Sequence, residues 1–594
     1  MWQEENQEEV NLENDELSRL CEQLAIANRV EFGKADLSSI MKRLLGERPD
    51  FRSQGKKIAQ LVSTEVERIN AMPQDEMEAF VKTNYPSLLD IRKEPKKKKE
   101  IGLPPLTDVN KGEITTRLPP EPSGYPHIGH AYAFFVNHHY ARTYEGRVIL
   151  RFEDTNPAKV DLEYYDAFRE ALNFLEISWD EEIIVSNHLE TYYKYAEQLV
   201  KQGHAYVCQC PVNSVRQYRE KMKACEHREA SIEDSSHQWK EMKAGVFEEG
   251  QAILRLKLSM ADPNPVLRDP AIMRVTHVAH PIQGDKYSVW PLYDFTVSLE
   301  DGLRKITHVF RSEEFSFRIP LQNRIRDLVG LKNPRIIHFS RLRISDTPVQ
   351  KRLIRTLIEN RTVSGWDDIR LSTIAALRRR GILPQTIKNL AFERQLSTAQ
   401  SETEWSLILA INRKLADSFA NHYFAVVDPV RIRVAKAQPQ QIKLPLHPDD
   451  KERGERILTT GQEFYLDSSD TIRFALDMNL RLKDLYNVQI DEIQTDCIFA
   501  HLVGGNMNLD VPKIQWVPIE EAIPVVLNFP DVLFMKEQIN PDSLIVRNGW
   551  AEKSLSSAKI GEIIQLERLG LGRIDAKTDQ GIQINMCEKW PASR

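Results

Sequence analysis

The chain reads as an α/β protein centred on a doubly wound parallel sheet, and three observations predict it. From Lys111 onward, short apolar strand-like runs alternate with helix-like ones, the pattern that builds strand–helix–strand crossovers. Between the first strand-like run, Gly112–Leu118, and the first helix-like run, Ala131–Tyr144, residues 117–130 read RLPPEPSGYPHIGH, a loop forced by its prolines and glycine. Beyond Val430 the character changes to short alternating strands divided by Gly, Pro and Asp turns, so a β-rich end follows the α/β centre.

Taken in order, residues 1–90 predict a small helical module. Leu17, Leu20, Leu24 and Ala27 repeat at helical spacing, as do Ile58, Leu61, Val62 and Val66, then Met77, Phe80 and Val81. Residues 91–111 form a basic linker, RKEPKKKK at 92–99 followed by GLPP at 102–105; it reads as a solvated hinge or as a tether against RNA phosphates. Arg147–Phe152 is a short apolar strand ending at EDTNP, and 161–175 has helical periodicity with an acidic start. The parallel-sheet region is assigned to 112–207 and 286–345, with 208–285 as an insertion that breaks the pattern. Residues 346–428 return to helix, with a stripe through Ile374, Ala375, Leu377 and Ile387. Residues 429–594 are expected to form one or two antiparallel barrels, from the alternation in 430–434, 471–476 and 580–585.

Bulk properties narrow the class. A chain of 594 residues exceeds one core, so about three to five domains are expected. The net charge of -6 rules out a wholesale polycation but leaves room for a local basic face. No apolar run approaches the ~18 residues of a membrane span, and the acidic first residues do not resemble a secretory signal. Six cysteines in so long a chain do not make a disulfide framework. The expectation is a cytoplasmic protein acting as a monomer.

The chemistry follows from position. Open parallel sheets bind ligands at the carboxyl ends of their strands, where both the 117–130 loop and Glu153 fall. His127 and His130 enter the first turn of the following helix. A helix start offers unpaired N–H groups and partial positive charge, a seat for phosphate, and Gly129 would let the backbone approach a nucleotide. The alternative is a surface turn carrying two histidines.

These residues, with others along the chain, resemble the class I aminoacyl-tRNA synthetases, and more narrowly glutamyl-tRNA synthetases of the archaeal type, which share their architecture with glutaminyl-tRNA synthetases. The likeness runs from about Gly102 to the C-terminus. HIGH at 127–130 matches the family signature, with Pro126 where leucine is frequent. WDD at 366–368 and LRRRGI at 377–382 are similar to the family's helical stretch, and DLYNV at 484–488 and QLERLG at 565–570 to its barrel strands. The second ATP motif, KMSKS, corresponds to DTPVQKR at 346–352, with Val349, Gln350 and Leu353 departing from the pattern while Lys351 keeps the charge.

The resemblance implies a Rossmann-type catalytic domain with an inserted acceptor-end-binding domain, a helical stem-contact region, C-terminal β-barrels that bind the anticodon and the N-terminal helical module. It implies ATP-dependent attachment of L-glutamate to tRNA(Glu) through a glutamyl adenylate, with tRNA(Gln) as a second candidate acceptor, Mg²⁺ with the ATP, and tRNA needed before activation. His127, Gly129, His130 and Lys351 would be the catalytic set. Pro119, Pro120, Glu121 and Arg352 would join His127, His130 and Lys351 around ATP. Arg117 and Arg311 are implied as clamps on the two glutamate carboxylates, Glu153 as the acid facing the ammonium, and Tyr293 as a neighbour of the side chain. Arg311 disfavours a glutaminyl enzyme, because a guanidinium facing a carboxamide loses its ion pair. Two alternatives stay open: a glutaminyl enzyme and a catalytically weak RNA-binding paralogue.

Two further groups are chemically legible. Cys208-x-Cys210 and Cys225-x-His227 supply three thiolates and an imidazole, a tetrahedral set for structural Zn²⁺, with reduced thiols in a helical hairpin as the alternative. Arg378, Arg379 and Arg380 read equally as RNA-phosphate contacts or as a solvated helix face. Phe464 and Tyr465 read as core or as stacking platforms.

Overall fold

The computed structural model describes residues 17–30, 33–47, 55–85, 102–503, 511–588 and 590. Two compact units divide the chain, Met1–Ile101 and Gly102–Arg594. In the first, helices over 17–30, Leu37–Glu47, Gly55–Ala71 and Gln74–Asn84 bury Leu17, Leu24, Ile58, Val62 and Val81 against one another. The basic run at 92–99 lies outside the described residues.

The second unit is built on parallel strands. Strands β1 (Thr115–Leu118), β2 (Arg147–Phe152) and β3 (Glu181–Ile184) pair in parallel, as do β4 (His308–Ser312) and β5 (Arg335–Phe339). The two ribbons meet where the Thr307 N–H donates to the Thr115 carbonyl at 3.0 Å, giving the order β5-β4-β1-β2-β3. From β1 the chain winds one way and from β4 the other. The crevice between the ends of β1 and β4 is therefore a topological switch point, where open α/β sheets bind ligands.

Helix α1 (Ile128–Thr143) covers the sheet with Phe134, Phe135 and Tyr140, and α2 (Leu162–Phe174) adds Phe168 and Leu172. Helix α1 begins one turn earlier than its apolar pattern predicts, because His127 serves as its N-cap. A four-stranded antiparallel sheet then interrupts the parallel one: Ala205–Cys208, Ile253–Leu256, Ala271–Val275 and Val289–Pro291. It is wider at both ends than the expected 208–285 insertion. Buried Tyr206 and Trp290 explain why its flanking strands read as part of the apolar parallel region.

Helices α3 (Tyr293–Leu303) and α4 (Ile319–Val329) flank β4, and α5 (Lys351–Glu359) and α6 (Ile374–Arg380) follow β5. The expected long stripe from Ile374 to Ile387 is two helices, broken at Gly381, which takes φ +89° after α6; the next spans Pro384–Arg394. Ile374, Leu377 and Ile387 are nevertheless all in the core.

Strands resume at Asn421–Tyr423, earlier than the expected boundary at 429. Two seven-stranded sheets follow, each with its own apolar core. Both mix parallel and antiparallel pairs, so neither is purely antiparallel as expected. The alternation at 471–476 does not form a strand. Asp467 accepts the Ser469 N–H and starts a helical turn, Ser468–Thr471, and the residues beyond pair with no strand, leaving Ile472 77% and Leu476 62% exposed. Phe464 is fully buried core, and Tyr465 stacks on Trp550.

Candidate active site

The 117–130 loop is fixed at both ends. The Glu153 N–H donates to the Pro120 carbonyl at 2.8 Å, tying the loop to the end of β2. At the other end Ile128 N–H donates to the Ser372 carbonyl at 3.0 Å, and Ile374 N–H to the Pro126 carbonyl at 2.8 Å, stitching the loop to the start of α6. Tyr125 stacks on Trp366, with ring centroids 5.6 Å apart.

The two histidines cap their own helix. The His127 Nδ1 accepts from the Gly129 N–H and the His130 Nδ1 from the His127 N–H, both at 3.1 Å. An Nδ1 that accepts must be unprotonated, so each neutral ring carries its proton on Nε2. Burial pushes His127 down to about 3 and His130 well below the usual histidine range, and the nearby charges of Lys351 and Arg341 push the same way. Both are therefore neutral N–H donors. This corrects the expectation of unpaired backbone N–H groups at the helix start: those of Ile128, Gly129 and His130 are already spoken for. The donors left open on this loop are on side chains. Gly129 has a local reason too, since a Cβ there would sit 2.9 Å from the His127 Cε1. The glycine makes room for the folded-back imidazole.

Lys351, the first residue of α5, lies against this loop. Its Nζ donates to Ser123 Oγ at 2.8 Å and to the Glu121 carbonyl at 3.1 Å, and burial pulls its ammonium below the usual lysine range. A Cβ on Gly124 would come within 3.2 Å of both the Lys351 stem and Trp366. Arg352 is exposed. The arginine that reaches the loop is Arg355, one turn on, whose Nη2 donates to the Ser123 carbonyl at 3.0 Å. Pro119 and Pro120 lead from the end of β1 into this loop.

Beside the loop, at the switch point, lies a buried charged cup. Arg117 on β1 and Arg311 on β4 are both buried. Tyr293, at the start of α3, feels the charges of Arg311, Arg117 and Glu153, and burial pushes its phenol up. Asp301 binds Arg151 at 2.8 Å and Arg117 at 3.4 Å. Arg151 Nε donates to Glu153 Oε1 at 2.7 Å. Three polar atoms in this cup are buried without a partner among the described residues: Glu153 Oε2, Arg151 Nη2 and Arg311 Nε. Stranded groups of this kind cost stability unless a ligand completes them.

A model of the catalytic domain of class I (E and Q) tRNA synthetases matches residues 113–417, and models of the anticodon-binding domain of the same class match 420–503 and 513–575. The chain belongs to the class I glutamyl and glutaminyl tRNA synthetase family. Among its relatives, the glutamate–tRNA ligase of Korarchaeum cryptofilum is 37% identical over 95% of this chain and 98% of its own length. That of Pyrococcus abyssi is 39% identical over 94% of this chain and 97% of its own, and that of Nitrosopumilus maritimus 34% over 95% and 98%.

Sequence reasoning missed several members of this candidate site. Arg151 and Asp301 had a signal, a charge inside the apolar runs of β2 and α3. Ser123 and Arg355 carry none, because only the folded loop brings them together. The cysteine set does assemble. Ligand atoms of Cys208, Cys210, Cys225 and His227 all lie within 4.8 Å of one another, with Cys208 Sγ 3.8 Å from Cys225 Sγ and Cys210 Sγ 3.3 Å from His227 Nδ1. Of the arginine trio, Arg380 is buried over Trp405 and donates to the Cys587 carbonyl, and Arg379 pairs with Asp575. Neither is a plain solvated face; both tie α6 to the C-terminal sheet.

Proposed function

We propose that this chain attaches glutamate to tRNA(Glu) through a glutamyl adenylate. The observation that carries the reading is the cup: two buried guanidinium groups, a buried carboxylate and unpartnered polar atoms of both signs, at the switch point and beside the HIGH loop. Glutamate has two carboxylates and one ammonium, the complement of that set. In this reading Arg311 takes the side-chain carboxylate, Arg117 the α-carboxylate and Glu153 the ammonium.

The substrate α-carboxylate oxygen attacks the ATP α-phosphorus, and the bond to the departing pyrophosphate breaks. The Nε2–H groups of His127 and His130 donate to phosphate oxygens as charge develops, and Lys351 neutralises the leaving group once it leaves Glu121 and Ser123. A ribose hydroxyl of the tRNA's terminal adenosine then attacks the adenylate carbonyl carbon. The hydroxyl proton passes to a phosphate oxygen of the adenylate as the carbonyl–phosphate bond breaks, and AMP leaves. The loop offers no carboxylate cluster for a metal, so Mg²⁺ would travel on the ATP phosphates, whose charge it offsets. ATP–pyrophosphate exchange with glutamate, run with and without tRNA, tests the reading: exchange that depends on tRNA is expected, and no exchange in either condition removes it. Charging assays with tRNA(Glu) and tRNA(Gln) define the acceptor.

The cysteine–histidine cluster fits structural Zn²⁺. At Zn–S distances of about 2.3 Å, tetrahedral thiolates stand about 3.8 Å apart, and the Cys208–Cys225 separation is 3.8 Å. Arg255 approaches both sulfurs at 3.8 Å, a second layer of charge compensation. Metal analysis of the wild type against Cys208→Ser tests this, with about one zinc per chain expected in the wild type and little in the variant; equal zinc in both removes it.

A further inference from the structure

Arg311 is not a free guanidinium. Its Nη1 donates to Gln322 Oε1 at 2.9 Å, and its Nη2 reaches the Phe315 carbonyl at 3.4 Å. Gln322 sits on α4 and is 1% exposed. Its other end is equally committed, with Nε2 donating to Asp294 Oδ1 at 2.9 Å. Asp294 is held in turn by Arg318 through its second oxygen. The chain of bonds thus runs Arg318, Asp294, Gln322, Arg311.

The polarity of this chain is determined. A guanidinium can only donate and an ionised carboxylate can only accept, so the amide has one orientation that serves both ends. The carboxamide bridges a cation and an anion while adding no charge. A carboxylate at 322 would cancel Arg311 and repel Asp294, and an apolar residue would strand both neighbours.

The consequence lies in what remains of Arg311. With Nη1 held by Gln322, Nη2 directed at the Phe315 carbonyl and the Tyr293 phenol within hydrogen-bonding reach of the guanidinium, what remains to take a ligand is the Nε–H together with the adjoining Nη2 edge. These two form the side of the guanidinium that grips a carboxylate with parallel bonds. The Nε is buried without a partner among the described residues.

We propose that Gln322 is a positioning residue for amino-acid specificity: it relays Asp294 to Arg311 and turns the Nε/Nη2 side of the guanidinium toward the side-chain carboxylate of the substrate. This rests on the assignment of Arg311 to that carboxylate. Gln322 itself touches no substrate, and it sets the choice between carboxylate and carboxamide through the arginine it aims.

The test is tRNA-dependent ATP–pyrophosphate exchange on the full-length protein, with glutamate and with glutamine as substrates. Gln322→Met, close in volume and without hydrogen bonds, is expected to raise the glutamate KM roughly ten- to a hundredfold, the range of one hydrogen bond to a charged group. Its kcat and ATP KM should stay within about threefold, and the preference for glutamate over glutamine should fall about tenfold. Gln322→Glu should also erode the preference, since it keeps the acceptor but neutralises the clamp. Asp294→Asn gives the same readout if the 322 variants do not fold. Arg311→Gln separates the two claims. If it leaves the glutamate preference as in wild type, the assignment of Arg311 fails. If it abolishes the preference while every folded relay variant keeps wild-type KM and preference, or lowers kcat for both amino acids alike, the relay is overturned.

Discussion

On the side of the crevice proposed for the nucleotide the protein satisfies its own polar atoms: His127 and His130 cap their helix, and Lys351 rests on Glu121 and Ser123. On the side proposed for the amino acid, Arg311 Nε, Arg151 Nη2 and Glu153 Oε2 are buried with no partner among the described residues. In the proposed reading the two sides face different tasks. A phosphate seat must exchange protein contacts for ligand contacts as pyrophosphate forms and leaves, so its lysine has somewhere to return. A cup that must tell a carboxylate from a carboxamide gains from being rigid and incomplete, because the wrong ligand then leaves a charge stranded. The cost of that incompleteness is carried by Asp301, a single carboxylate shared by Arg117 and Arg151.

The largest effect should come from breaking the amino-acid side at that point. Asp301→Asn leaves two buried guanidinium groups without their shared counter-charge, and truncating one partner of a buried pair costs about 3–5 kcal/mol. Denaturant unfolding should show that loss, with exchange at subsaturating glutamate abolished. Next comes the nucleotide side. Lys351→Ala removes the mobile charge but leaves the cup intact, so kcat for exchange should fall about a hundredfold to a thousandfold while the glutamate KM changes little. If Lys351→Ala moved the glutamate KM as strongly as kcat, the two sides would not be separable.

What the sequence showed and what it hid divides along the same line. The HIGH loop, β2 and the flanking helices were legible because proline, glycine and apolar periodicity act locally. The cup was legible only residue by residue. Arg117 and Arg311 lie far apart in the chain, and adjacency of β1 and β4 is a consequence of the winding. The relay through Gln322 was invisible, since a glutamine inside an amphipathic helix carries no signal until its two partners are known. The alternation at 471–476 misled because strand periodicity without a neighbouring strand can settle as a turn. The arginines at 378–380 were read by charge alone, and Arg380, stacked over Trp405, is held by the Pro530 carbonyl 150 residues downstream.

A smaller effect is expected from His127→Ala. It removes the N-cap, worth ~1 kcal/mol of stability, and one phosphate donor, so kcat should fall about ten- to a hundredfold. The pH dependence has a defined sign. His127 is neutral in the fold down to about pH 3 but takes a proton near pH 6.5 when unfolded. The unfolded state therefore binds more protons in that window, and stability contributed by this site is full above pH 6.5 and falls as the pH drops below it, at up to about 1.4 kcal/mol per pH unit. Chemical denaturation at pH 7.5 and pH 5 should show a smaller loss for His127→Ala than for the wild type. Equal losses would mean that the ring does not stay neutral.

The smallest effect tests the join between the α/β centre and the C-terminal sheets. Arg379 Nε and Nη2 bind the two oxygens of Asp575 at 3.0 and 2.8 Å, and Nη1 meets Asp367 at 3.2 Å. Its donors are committed to carboxylates, and the group is partly exposed. Arg379→Gln should therefore cost about 0.5–1 kcal/mol and leave the salt dependence of tRNA binding unchanged. An arginine that neutralises a phosphate would reduce the slope of log Kd against log salt by about one. Measuring that slope across a salt titration separates an arginine that holds two domains together from one that holds RNA.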